Sequence, residues 1–408
     1  MKRVLCLTMC ALLLLSYPVG AATVIVDTES GETAAELTAL ETPPVFEDAL
    51  PVVNNASSLE IGGKSAILMD LSSGTVLYEK NTHERLPIAS VTKIMTLLLV
   101  MEALDAGTIA LDDMVTCSPQ AASMGGSQIW LEPGEMMSVH DLVKAAAVVS
   151  ANDACAALAE HVSGSIEGFV QQMNTRAAEL GMKDTNFLDC SGLNDEAYSC
   201  AHDVAVMSRE LMKHPRIKQY TTIWMDTLRN GQSQLVNTNK LVRFYQGATG
   251  LKTGTTSTAG HNLSATAERN GMGLVSVILG CTTTDERFGG ARKLLDYGFA
   301  QYGLYTPQID ASALQPIPVL RGVETQVEIA AEELKPLLVK KADEKTLSTV
   351  VDLAEDLEAP VEDGQIVGKV CVMQGETELA SYAVTARKTV GRLDFAACLQ
   401  RLFQALCT

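Results

Sequence analysis

Basic residues are scarce in this chain: 31 Lys and Arg stand against 49 Asp and Glu in 408 residues, a formal charge of −18. That deficit excludes a protein built to follow nucleic-acid phosphates, which needs a positive face, and it disfavours broad adhesion to anionic lipid. No two cysteines stand at C-x-x-C spacing and no H-E-x-x-H occurs, so no local zinc or dithiol motif is present and no metal or cofactor is implied. No internal repeat is visible. What remains is ordinary globular material, 47% apolar and 20% charged, with length for two or three domains.

The chain begins with a charged start, Met1-Lys2-Arg3, an apolar run from Val4 to Pro18, and the small-residue exit Val19-Gly20-Ala21-Ala22. This is the pattern of a secretory signal peptide over 1–22, and its apolar run is too short to span a bilayer comfortably. Losing Lys2 and Arg3 with it deepens the charge to about −20. Residues 23–60 contain acidic groups, Thr, Ala and Pro but no Lys or Arg, and read as an acidic, poorly ordered linker. Eight of the ten cysteines lie beyond the leader. Only Cys190 and Cys200, which bracket a loop, suggest a disulfide in an exported chain; the other reading is free thiols.

From Ser65 the pattern becomes structured. Ala66 to Asp70 and Thr75 to Glu79 flank a Ser72-Ser73-Gly74 turn as a β-hairpin, and the apolar segment Pro87 to Val100 reads as a helix. Residues 105–215 are mainly helical in pattern, strands return at Leu263 to Ala267 and Gly273 to Leu279, and a last helix runs from Arg287 to Tyr302. This order predicts an α+β domain over 61–305, an antiparallel sheet with a helical subdomain inserted between its edges. Short β-branched runs and turns then predict a small all-β domain over 306–386. The tail, 387–408, spaces Leu393, Phe395, Leu399, Leu402, Phe403 and Leu406 helically, with Arg392 and Arg401 among them. It reads as an interfacial membrane helix through 392–408, or else as a helix docked on its own domain.

Lys93 is the residue out of place. It lies three positions after Ser90 in a helix apolar on nearly every face, where an unpaired ammonium costs several kcal/mol or loses its proton. A neutral lysine one turn from a serine hydroxyl is a general base beside a nucleophile. Alone, S-x-x-K arises by chance, but Ser150-Ala151-Asn152 and Lys252-Thr253-Gly254 follow it in order. Taken singly these are a helix cap with a snorkelling lysine, a second cap, and a turn into a strand; three ordered motifs are hard to ascribe to coincidence. Acyl transfer would use Ser90 as nucleophile, Lys93 as base and Ser150 as proton relay. The N–H groups of Ser90 and Thr255 would form the oxyanion donors. Asn152 would hold a substrate carbonyl or Lys93, and Lys252 and Thr253 suit a substrate carboxylate.

With these motifs in hand, the chain resembles the D-alanyl-D-alanine carboxypeptidases among the low-molecular-mass penicillin-binding proteins. Gly250-Leu251-Lys252-Thr253-Gly254-Thr255-Thr256 with Ala259-Gly260-His261-Asn262-Leu263 is similar to that family's K-T-G strand and its continuation. Arg287 matches its carboxylate-binding arginine, and residues 357–368 are similar to its C-terminal β domain. Many relatives carry His where this chain has Ser191, and Ser or Thr where it has Cys200. The resemblance implies a DD-peptidase/β-lactamase-like domain followed by a small all-β domain. It further implies removal of the terminal D-alanine from the peptidoglycan stem peptide through an acyl-Ser90 intermediate, with β-lactams as inhibitors and action at the outer face of the cytoplasmic membrane. A serine β-lactamase would share the acylation apparatus, but no E-x-x-x-N loop lies between Ser150 and Lys252 to supply its hydrolytic base. A catalytically weak wall-binding scaffold is the other alternative. Oligomeric state is not legible.

Overall fold

A computed structural model describes residues 23–24, 59–396, 398–399 and 403. The leader and most of the acidic linker therefore lie outside the described residues. Of that linker, Thr23 and Val24 pair in parallel with Ser233 and Gln234.

The hairpin forms as the sequence pattern predicts, from β1 (Ser65–Asp70) and β2 (Val76–Lys80). It is one edge of a five-stranded antiparallel sheet completed by β3 (Ala248–Thr256), β4 (Gly260–Arg269) and β5 (Met272–Cys281), in spatial order β2-β1-β5-β4-β3. Strand β1 is buried throughout because both faces are covered. Ile67 and Met69 point into one apolar cluster, and Ala66 and Leu68 into another. The period-2 alternation of side chains explains this split, and double coverage explains why the run is apolar without interruption.

The first cluster belongs to the helical subdomain. At its centre is α1 (Lys93–Asp105), buried at every position from Lys93 to Met101. A helix apolar on all sides must be surrounded, and α2 (Val139–Val148), α3 (Asn152–Ser163), α4 (Ile166–Glu179) and α5 (Ala201–Met212) pack around it. The second cluster lies on the opposite sheet face, beneath α6 (Thr284–Gln301), through Ala291, Leu294 and Leu295. The result is a helix–sheet–helix sandwich whose strand β3 is an open edge beside α1.

After α6, β6 (Tyr302–Tyr305) pairs with β8 (Leu337–Lys340). A separate core of Ile317, Val319, Val327, Val361, Val370 and Val384 gathers β7 (Ile317–Leu320), β9 (Leu347–Leu353), β10 (Ile366–Gln374) and β11 (Thr377–Ala386). Val390 is buried in this same core and Leu393 N–H donates to the Arg321 carbonyl, so backbone contacts run past the last strand. Beyond it Phe395, Leu399 and Phe403 are helical and exposed. Among the described residues no helix is long and apolar enough to cross a membrane.

One expectation needs correction, and one pair of alternative readings is decided. The Lys252-Thr253-Gly254 segment does not precede a strand; it lies inside β3, hidden by Gly250 and Gly254, which interrupt any alternation of apolar side chains. The cysteines Cys190 and Cys200 are both buried free thiols, not a disulfide.

Candidate active site

Ser90 does not begin the long helix directly. It occupies a one-turn 3-10 helix, Ala89–Thr92, that leads into α1, and Ala89 before it is held at φ +49°. An alanine in the left-handed region is strained by roughly 1–2 kcal/mol, so the surroundings must enforce the turn. Two glycines do so by letting backbone approach from either side. A Cβ on Gly254 would stand 2.5 Å from the Ile88 carbonyl oxygen and 3.0 Å from the Ser90 nitrogen, which is how β3 reaches the nucleophile. On the other side, a Cβ on Gly192 would overlap the Ala89 carbonyl.

Lys93, the first residue of α1, is wholly buried. Its Nζ donates to Ser90 Oγ at 2.8 Å and to the Ser191 carbonyl at 2.8 Å. The second partner was invisible in sequence because it is a main-chain oxygen 98 residues away. It is aimed by Asp189, whose carboxylate accepts from the N–H groups of Ser191, Gly192 and Asn194 and from the Ser191 hydroxyl. Downstream, Asp195 accepts from the hydroxyls of Thr256 at 3.0 Å and Thr258 at 2.8 Å, which ties this loop to the end of β3.

Ser150 sits in the sharp turn between α2 and α3 at φ +64°. Its Oγ is buried without a hydrogen-bond partner. Asn152 opens α3, donating from Nδ2 to the Gly125 carbonyl at 2.6 Å while its Oδ1 is also buried and unpartnered. Neither side chain bonds Lys93, contrary to expectation; Ser90 and the Ser191 carbonyl occupy the ammonium. Two buried oxygens without partners are costly, about 1–3 kcal/mol each.

Strand β3 supplies the third wall. Lys252 is buried and donates from Nζ to the Thr253 carbonyl at 2.9 Å, and Thr253 Oγ1 donates to Thr238 Oγ1 at 2.7 Å. Burial pushes the thiol of Cys155, behind this wall, up to about 11, while the fields of Lys93 and Lys252 both act to lower it. Arg287 from α6 is 2% exposed and directs one guanidinium nitrogen at Thr255 Oγ1, 2.8 Å away, with the Gly254 and Asn262 carbonyls each at 3.4 Å. It thus braces the strand from behind and orients the Thr255 hydroxyl.

A cleft of about 400 Å³ opens in front, lined by Gly126, Gly192, Leu193, Thr255, Thr256, Ser257 and His261. His261 was not anticipated. It lies 3.5 Å from the hydroxyls of Thr255 and Thr284, and burial together with the positive charge of Arg287 lowers its pKa below the usual histidine value. Of the expected residues, Thr255 lines this cleft, Asn152 packs against its Gly126, and Ser90 with Lys93 lies where Gly192 and Gly254 approach, while Arg287 bonds the Thr255 hydroxyl.

Residues 52–283 match the family model of D-alanyl-D-alanine carboxypeptidase, and 309–392 match that of the penicillin-binding protein 5 C-terminal domain. The chain is 40% identical over 350 residues to the D-alanyl-D-alanine carboxypeptidase DacF of Bacillus subtilis, covering 85% of this chain and 90% of that protein. It is 37% identical over 319 residues to DacC of Escherichia coli, covering 76% and 80%. Penicillin-binding protein 5 from Haemophilus influenzae superposes with a TM-score of 0.70 at 32% identity, covering 82% of this chain and 99% of that one. Penicillin-binding protein D2 from Listeria monocytogenes, in its ampicillin-bound form, gives 0.52 at 33% identity over 59% of this chain and 99% of its own. A serine at the mouth of an all-apolar helix, clamped to a buried lysine and faced by a Lys-Thr-Gly edge strand, agrees with all of these matches: the chain belongs to the D-alanyl-D-alanine carboxypeptidase family.

Proposed function

We propose that this protein is a serine-type carboxypeptidase that releases the terminal D-alanine from peptidoglycan stem peptides and is acylated by β-lactams at the same serine. The observation that carries this reading is the buried Lys93 Nζ 2.8 Å from Ser90 Oγ. With Lys93 neutral, the same contact reversed moves the serine proton to nitrogen as Oγ attacks the D-alanyl carbonyl. The Ser90 and Thr255 N–H groups receive the oxyanion. Ser150 Oγ relays the proton to the departing D-alanine amine, and Asn152 Oδ1 accepts an amide N–H of the incoming peptide. The D-alanine carboxylate meets Lys252, Thr253 and the Thr255 hydroxyl that Arg287 orients. Water then cleaves the acyl-Ser90 ester and the proton returns.

Supporting roles follow from the other parts of the chain. Residues 1–22 direct export and 23–60 form a spacer before the peptidase domain of 61–305. The β domain of 306–386 carries a tail that rests on the outer face of the cytoplasmic membrane. The lactamase and scaffold alternatives gain nothing from the relatives, which are named as carboxypeptidases and penicillin-binding proteins.

Release of D-alanine from a diacyl-D-Ala-D-Ala peptide, together with a stable adduct of labelled penicillin on Ser90, is the test. Rapid penicillin hydrolysis without D-alanine release would reject it. Lys93→Ala should slow acylation on the order of a thousandfold; unchanged labelling of that variant would remove Lys93 from its role as base.

A further inference from the structure

Near the Leu86–Ser199 backbone bridge, three residues bring one donor atom each to a common point. They are His83 before the Ser90 turn, Asp184, and Cys200, and the three donor atoms lie within 4.8 Å of one another. His83 Nδ1 and Asp184 Oδ2 are 3.1 Å apart, close to the roughly 3.3 Å that separates two ligands of one tetrahedral zinc ion. We propose that His83, Asp184 and Cys200 form a divalent-cation site for zinc or a similar borderline metal, with a fourth position open to water.

The surroundings are those that such a site requires. Arg85 Nε donates to Asp184 Oδ1 at 3.0 Å, fixing the carboxylate so that the other oxygen faces His83. The His202 ring stacks on His83 at 4.9 Å, which sets the plane of the ligating imidazole. Outer contacts of this kind orient ligands at metal centres. Cys200 is the N-cap of the twelve-residue α5, and its sulfur accepts from the Asp203 N–H. Oxygen-bearing Ser, Thr, Asp or Asn serve that cap better than a thiol; what the thiol adds is a soft ligand, held protonated by burial and by the charges of Asp203 and Asp184 until a metal displaces its proton. One imidazole, one carboxylate and one thiolate neutralise a divalent charge. An ion would enter from the side of His83, which is 64% exposed and opens on a depression of about 820 Å³, with Cys200 buried behind it. No local motif announces the site, since His83 and Asp184 stand 101 residues apart.

A bound ion would join the turn that precedes Ser90 to the segments on either side of the Ser191 loop, so its signature is stability as well as binding. The full chain, freed of metal by chelation under reducing conditions, is titrated with Co(II) and then Zn(II). Wild type should take one equivalent, develop a thiolate-to-cobalt charge-transfer band, and melt at a higher temperature with zinc. Cys200→Ser, which keeps a capping oxygen, should lose the band, and both it and His83→Ala should bind zinc at least tenfold more weakly. Penicillin labelling of Ser90 reports whether each variant is folded. Absence of binding, a band that persists in Cys200→Ser, or equal zinc affinity in His83→Ala would each overturn the site.

Discussion

Ser150 sets a cost to the fold against the catalytic role proposed for it. Its Oγ is buried with no partner, and its backbone sits at φ +64°. An unpaired buried hydroxyl costs about 1–3 kcal/mol, while alanine at the same dihedral carries the same backbone strain. Ser150→Ala should therefore melt at the same temperature as wild type or higher. D-alanine release should nevertheless fall on the order of ten- to a hundredfold, because the relay to the leaving amine is gone. A variant that loses stability and activity together would mean that Ser150 is structural. The same tension between stability and chemistry surrounds Lys93, which was legible in sequence because a lysine in an apolar helix violates every packing preference. Its second partner was not legible. A main-chain carbonyl at Ser191 leaves no residue type to read, and Asp189, which aims it, looks in sequence like any loop aspartate.

Among the elements, the loop 125–135 reaches from the catalytic cleft to the outer surface, and side chains from other elements fix it. Asp153 of α3 accepts from the N–H groups of Ile129 and Leu131, and Arg229 donates to the Ile129 carbonyl and to both oxygens of Glu135. Burial raises the Glu135 carboxyl, but the Arg229 fork and the Glu132 N–H outweigh it and hold its pKa below the usual glutamate value. A carboxylate depressed in the folded state contributes stability that is complete above its unfolded pKa and is lost as pH falls through the folded one. The melting temperature of wild type should thus decline more steeply between about pH 5 and pH 3 than that of Glu135→Gln. Parallel curves would show that the pair contributes nothing. Long apolar runs, β1, β5 and α1, and the hairpin partner β2 were readable in advance. Strand β3 was legible only through its likeness to the family's K-T-G strand, because the glycines that let it pass Ser90 also erase the alternation by which a strand is recognised.

For the whole molecule, charge and shape pull in opposite directions at a membrane. A body of formal charge −18 is repelled by anionic lipid, so any attachment must come from a local apolar feature. Phe395, Leu399 and Phe403 stand four residues apart and are exposed, 83%, 46% and 61% accessible. Burying such side chains in the headgroup boundary is favourable by about 1.5–3 kcal/mol for each one fully covered. Arg392 and Arg401 supply local attraction. Repulsion of the body is screened within about 10 Å at 0.1 M salt, whereas apolar insertion is not. Binding of the full chain to anionic vesicles should therefore persist, or strengthen, as salt is raised. A chain lacking 394–408 should fail to sediment with vesicles yet release D-alanine from a soluble peptide at the wild-type rate, since the catalytic walls lie in another domain with its own core. Binding that disappears with salt would assign it to the arginines alone, and binding that survives the truncation would remove the tail from the membrane.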